Sequence, residues 1–211
     1  MAKLFLIWDF DGTLYDSYPQ MAEALRLALR DFSITANIAE IYTLQKVTLY
    51  HACTVYAQRH GLSVESLLAA YRKQHAAMGL PPPMPDAAAC LRACTALGCR
   101  QALFTHRDRS ALDALARDGL LPLFADAVLR TDGFADKPAP DAILHLMRKH
   151  GFAVRDTWMI GDRDLDLQAG RNAGVHTALF DPDGFFPGLQ ADLHLQTLAD
   201  LPRQLSALPA F

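Results

Sequence analysis

The sequence predicts an α/β fold, a doubly wound parallel sheet with a helical insertion after its first strand, on three observations. Short apolar runs alternate with helical patterns over most of the chain. The first run, "LFLIW" within "KLFLIWDF", is apolar without polar interruption, as a central strand covered on both faces requires. The alternation lapses once, over residues 15–80, where apolar residues recur only at helical spacing.

In chain order, "KLFLIWDF" closes on an Asp-Gly turn and reads as the first strand. Three helical patterns follow, "YPQMAEALRLALRDF", "IAEIYTLQKVTLYHACTVYAQRHG" and "SVESLLAAYRKQHAAMG", which together read as a small bundle. The stiff stretch "GLPPPMPD" at 79–86 returns the chain to the alternating part. There the strands are expected at 100–105, 127–130, 157–161 and 175–180, with 192–195 a weaker sixth. Helices are expected in "PDAAACLRACTALG", "DRSALDALARDG", "KPAPDAILHLMRKHG" and "RDLDLQAGRNAG", each stopped by a glycine. The domains expected are an α/β core of 1–14 with 81–211 and a helical lobe of 15–80.

With 211 residues, 51% hydrophobic and 20% charged, the chain can build one good core and a smaller lobe. A net charge of -3 without basic runs gives no general attraction to nucleic acid or to an anionic membrane. No segment approaches the about 20 apolar residues of a membrane span, so a cytoplasmic protein is expected. Cys53, Cys90, Cys94 and Cys99 form no CxxC pair and read as core thiols, not as zinc ligands.

The chemistry is written at strand ends, where open parallel sheets bind ligands. Asp9 and Asp11 close the first strand, Thr105 closes the next, Lys137 opens the helix after the third, and "GDRDLD" at 161–166 follows the fourth. If a helix begins at that last motif, Asp162 and Asp166 share a face. Asp164 is turned away and reads as an acid favourable at a helix N-terminus. Gathering Asp9, Asp11, Asp162 and Asp166 would cost on the order of 4 kcal/mol per close pair at an effective dielectric of 20, unless a cation joins them. Hard oxygen ligands in a small site suit Mg2+. Lys137, the Thr105 hydroxyl and the backbone N–H groups around Phe10 to Gly12 could hold an anion beside the metal, a set suited to phosphoryl transfer.

"DFDGTLYDS", Thr105, "KPAPDAIL" and "GDRDLD" stand in the order and spacing of the four motifs of the haloacid dehalogenase superfamily, which the chain resembles over essentially its whole length. The inserted helices resemble the cap of its phosphoglycolate phosphatase and beta-phosphoglucomutase branch. The resemblance implies that Asp9 is the nucleophile, forming an aspartyl-phosphate, and that Asp11 is the general acid and base, with its carbonyl on Mg2+. It implies that the carboxylates of Asp9 and Asp162 bind the metal and that Asp166 supports them from behind. Thr105 and Lys137 would hold the phosphoryl group, Lys137 also restraining Asp9.

The stretch "FTHRD" departs from the family, which often has asparagine or glycine after the threonine. His106 there could donate to substrate or serve the structure, and Arg107 reads as a solvated or cap-facing charge. In the insertion, Tyr42, Lys46 and His51 are the polar groups of an otherwise apolar pattern, and Lys46 is the candidate for contact with substrate, against the plain reading of a solvated lysine. The function expected is a Mg2+-dependent phosphatase acting on a small phosphorylated metabolite, one the sequence does not name. A phosphomutase, a metal-independent dehalogenase and a non-catalytic binding protein are the alternatives. The oligomeric state is left open.

Overall fold

A computed structural model describes residues 4–207. The chain divides into two compact units, one made of the residues up to Tyr15 together with those from Pro83 onward, the other of Asp16–Pro82.

In the first unit, six strands form one parallel sheet: β1 (Phe5–Trp8), β2 (Arg100–Phe104), β3 (Asp126–Val128), β4 (Thr157–Gly161), β5 (His176–Phe180) and β6 (Leu193–Leu195), in the order β3-β2-β1-β4-β5-β6. Every residue of β1 is buried, as expected of a strand with a neighbour on each side and cover on each face. Strand order reverses at β1: the chain first builds outward through β2 and β3, then returns to the other side of β1 with β4. That arrangement opens a crevice at the carboxyl ends of β1 and β4.

Phe5, Ile7, Ala102, Phe104 and Met159 from the strands pack with Ile143, Leu146 and Met147 of one helix and Ala169 of another. Those two helices are Asp141–His150 and Asp164–Ala173. Two more, Ala87–Ala96 and Ser110–Arg117, stand where the sequence placed them. A short final helix, Leu201–Ser206, has no counterpart in the sequence reading, because six residues carry too little periodicity to register.

The second unit consists of α1 (Tyr18–Asp31), α2 (Ile38–Val47), α3 (Leu49–His60) and α4 (Val64–Ala76). Its own core gathers Leu25, Leu29, Ile41, Tyr56, Leu67 and Tyr71. The single helical stretch expected over 38–61 is in fact two helices. Thr48 is extended, and its hydroxyl caps α3 by accepting from the His51 N–H at 2.9 Å.

A second correction concerns Lys137. It does not open the helix after β3, which starts four residues later, at Asp141, with Pro140 just before it. Proline at 138 and 140 suits an entry to a helix equally well at either position, so the sequence did not fix the start.

Candidate active site

Asp9 continues β1 by one residue, since its N–H donates to Ile160 O at 2.8 Å. The chain then turns: Phe10 O accepts from the N–H groups of Leu14 and Tyr15, and Gly12 takes a φ of 77°, a region open to glycine. The Gly12 N–H donates to Tyr15 O at 2.8 Å. Expected among the anion-binding groups, it instead closes this turn.

Across the crevice, β4 ends at Gly161 and the next helix begins at Asp164. Asp162 therefore precedes the helix and does not share a helical face with Asp166. The two meet all the same, for two local reasons. Arg163 is extended, and Asp166, on the first turn, accepts from the Arg163 N–H at 3.1 Å, as a capping carboxylate does. Gly161 supplies the room: a Cβ there would lie 2.3 Å from Asp166 Cβ and 2.6 Å from its Oδ2. Asp164 sits in the first turn beside Arg171 at 3.1 Å, outside the cluster.

Asp9, Asp162 and Asp166 each offer a carboxylate oxygen within 4.8 Å of the others, and all three residues are buried. The buried Lys137 Nζ donates to Asp9 Oδ1 at 2.6 Å and to Asp166 Oδ1 at 2.7 Å. The Thr13 hydroxyl donates to Asp162 Oδ1 at 3.3 Å. Both oxygens of Asp166 are thus engaged, whereas Asp9 Oδ2 is buried with no hydrogen-bond partner. Three carboxylates lie around the Lys137 ammonium, and the Arg163 charge also acts on Asp9 and Asp166. An unpartnered buried carboxylate oxygen in an oxygen-only donor set of three acids is a fit for a hard divalent cation.

The protonation pattern follows from the same geometry. Burial pushes Asp9 up to about 7 against the pull of Lys137, with Asp166 and Asp162 adding to the rise. Burial would also raise Asp166, but the positive charges of Lys137 and Arg163 and their hydrogen bonds hold it below the ordinary carboxylate range. Burial alone would lower Lys137; Asp166 and Asp9 override it and keep the ammonium protonated.

Asp11, two residues on, lies apart from this cluster. Arg107 grips its carboxylate through Nη2 at 2.5 Å and Nε at 3.1 Å. The guanidinium also lies 5.3 Å from the centre of the Phe10 ring. Of the two readings of Arg107, the solvated one does not hold: its side chain is 10% exposed. The Arg107 N–H donates to Thr105 Oγ1 at 3.0 Å, so that hydroxyl already accepts one bond and keeps its own proton for another acceptor. His106 Nε2 accepts from the Lys137 backbone N–H at 2.9 Å.

Sequence reasoning missed Thr13, the grip of Arg107 on Asp11 and the space at Gly161. Each stands inside or beside a quoted motif, and only the glycine directly before Asp162 carried a signal of its own. Lys46 lies in the other unit and is buried, its Nζ 4.4 Å from the centre of the Tyr18 ring and 5.8 Å from that of Tyr42. The reading of a solvated lysine is overturned. Among the described residues no helix is long and apolar enough to cross a membrane.

A model of haloacid dehalogenase-like hydrolases matches residues 5–174. A phosphoglycolate phosphatase of Aliivibrio fischeri is 30% identical over 184 residues, 82% of this chain and 81% of that protein. Among solved structures, a predicted phosphoglycolate phosphatase from Haemophilus somnus superposes with a TM-score of 0.82 at 19% identity, covering 97% of this chain and 99% of that one. A beta-phosphoglucomutase candidate from Bacteroides vulgatus gives 0.74 at 21%, covering 97% and 88%. At such identities the two superpositions speak for the fold alone.

Proposed function

Because the chain belongs to the haloacid dehalogenase-like hydrolase family and is a phosphatase, we propose that it hydrolyses a small phosphorylated metabolite in two displacements at Asp9, with Mg2+ as the cation. The observation that carries this reading is the asymmetry of Asp9: one oxygen is restrained by Lys137 and the other is buried without a partner.

In the first displacement an Asp9 oxygen bonds to phosphorus as the ester P–O bond breaks, and the leaving oxygen takes a proton from Asp11. In the second, Asp11 accepts a proton from water, the water oxygen bonds to phosphorus, and the Asp9 carboxylate is released. The form of Asp11 paired with Arg107 is the carboxylate, the one needed for the second displacement. Lys137 and the Thr105 hydroxyl hold the phosphoryl oxygens, and Lys137 keeps Asp9 aimed. Asp9, Asp162 and the carbonyl of Asp11 would hold Mg2+, with Asp166 behind them, because Asp166 already spends both oxygens on Lys137 and Arg163. When bound, the cation would neutralise the charge that gathers on the phosphoryl group.

The inserted helical unit, with Lys46, serves substrate preference in this reading. Phosphoglycolate, for which the relatives are named, is the first ester to assay. Asp9→Asn should eliminate phosphate release and the trapping of the phosphoryl site by beryllium fluoride. Appreciable turnover by the pure variant would sink the assignment. Isomerised phosphate ester in place of free phosphate would identify a phosphomutase instead.

A further inference from the structure

A side-chain contact of His106 ties the end of β2 to the backbone of the segment carrying Lys137. Its Nε2 lies 2.9 Å from the Lys137 nitrogen and accepts that N–H. The segment from Gly133 to Pro140 has little regular structure, so this bond does work that a helix or strand would otherwise do. Two atoms further along the same residue begins the chain that ends in Nζ, between Asp9 and Asp166.

We propose that His106 is a positioning residue for the reaction, acting as a neutral, Nδ1-protonated imidazole whose Nε2 fixes the Lys137 backbone and thereby the reach of its ammonium to Asp9. Three observations converge on this. The ring is anchored against Phe104, edge to face at 6.3 Å between centroids. An acceptor is needed at Nε2, since a proton on that atom would face the Lys137 N–H directly. Burial and the nearby Lys137 charge push the imidazole down to about 4, so the ring is neutral at pH 7. The groups that face the ring are Lys137, Asp136, Arg163 and Asp166, with Asp136 Oδ1 3.6 Å from Nε2. The role differs from a contact with substrate, which would fall to the other ring nitrogen, Nδ1.

The role rests on Lys137 serving the phosphatase reaction, and the tests separate the two ideas. The first is made on the wild-type protein without substrate: a long-range nitrogen–proton correlation spectrum should show the His106 ring protonated on Nδ1 alone at pH 7. A proton on Nε2 would overturn the proposal whatever the enzyme hydrolyses. The second compares His106→Leu with His106→Gln, whose amide oxygen can restore an acceptor. The leucine variant should lose about tenfold in kcat/KM, the scale of one lost hydrogen bond at a reacting group. The loss should be equal on phosphoglycolate and on p-nitrophenyl phosphate, with orthovanadate inhibition weakened by the same factor, because Lys137 serves the phosphoryl end common to all. Glutamine should recover most of each loss. A loss confined to one ester would make His106 a substrate contact and overturn the proposal, as would glutamine performing no better than leucine. If the leucine variant does not fold, the glutamine variant and the imidazole spectrum still decide. Absence of phosphatase activity in the wild type would count against the function and leave the spectrum to judge the bond.

Discussion

In the α/β unit three aspartates and a lysine leave water together and find one another, whereas in the helical unit Lys46 is buried with its ammonium over the rings of Tyr18 and Tyr42. The two lysines are buried to the same extent, 4% exposed each, yet they are stabilised by different physics. Lys137 holds its charge because two carboxylates would be costlier without it. Lys46 has its ammonium over two aromatic rings, whose quadrupoles attract a cation. The difference separates a lysine clamped between two carboxylates from one laid over aromatic rings. Each can be pressed by removing a single charge.

The largest effect should come from Lys137→Met. It leaves Asp9 and Asp166 buried without their cation, a change worth about 3–5 kcal/mol in stability when a buried pair is broken. Proton uptake by Asp9 will absorb part of it, since burial already pushes that carboxyl up to about 7. Urea unfolding at pH 8 should show the greater loss and at pH 5 the smaller. Equal loss at both would mean that Asp9 does not take up the proton. Turnover should fall by about 10²–10³-fold, on the scale of a removed charge stabiliser in a reacting site.

The next effect is that of the cation. In the metal-free protein the Asp9 carboxyl binds its proton up to about 7, against 3.8 unfolded. The folded state then holds more protons than the unfolded state between those values, so this group's contribution to stability falls as pH rises across that window. His106 acts in the opposite sense: depressed from 6.5 to about 4, it makes stability rise with pH across that interval. The two slopes oppose each other, and the pH curve of the apoprotein will not report either alone. The difference made by Mg2+ isolates Asp9, because the cation replaces the proton there. Added Mg2+ should raise the melting temperature more at pH 8 than at pH 5, and chelation should abolish turnover. A Mg2+ shift independent of pH would place the cation away from Asp9.

The same comparison shows what the sequence could tell. Strands of the α/β unit were legible because β1, β2, β4 and β5 are apolar runs too short for helices and bounded by turns. The residues of the carboxylate cluster were legible as types at strand ends, but the reason they meet was not. Helical spacing suggested a shared face for Asp162 and Asp166, while the actual cause is an extended Arg163 and a glycine beside Asp166, both matters of three-dimensional clearance. Arg107 was misread because a lone arginine after a strand gives no sign of its partner, and Asp11 lies 96 residues away. In the helical unit the break at Thr48 was hidden because apolar spacing continues across it. Lys46 was misread because a lysine among apolar residues on a helix is most often solvated.

That clearance can be tested directly. Gly161→Ala places a Cβ 2.3 Å from Asp166 Cβ, so either Asp166 or the start of its helix must move. The cost should be about 1–3 kcal/mol, the usual range for overpacking a filled site, and activity should fall with it. Gly188→Ala is the control, with nothing within 4 Å of its added Cβ, and should stay within about 0.5 kcal/mol of the wild type. Matching results for the two variants would show that the approach of Asp166 to β4 is slack.

A smaller change in stability than that of Lys137→Met or Gly161→Ala should belong to Lys46→Met, which keeps the length of the side chain and removes only its charge. Attraction to the rings of Tyr18 and Tyr42 is worth up to about 2 kcal/mol when desolvated, but losing it also ends the cost of burying an ammonium. The net shift in urea unfolding should therefore lie within about 1 kcal/mol. Activity gives the sharper reading. If Lys46 serves substrate preference, kcat/KM on the physiological ester should fall by about tenfold, the scale of a lost charged hydrogen bond, while p-nitrophenyl phosphate is spared. Unchanged kinetics on both esters would leave Lys46 with a packing role alone, and a stability loss as large as that of Lys137→Met would overturn the contrast between the two buried lysines.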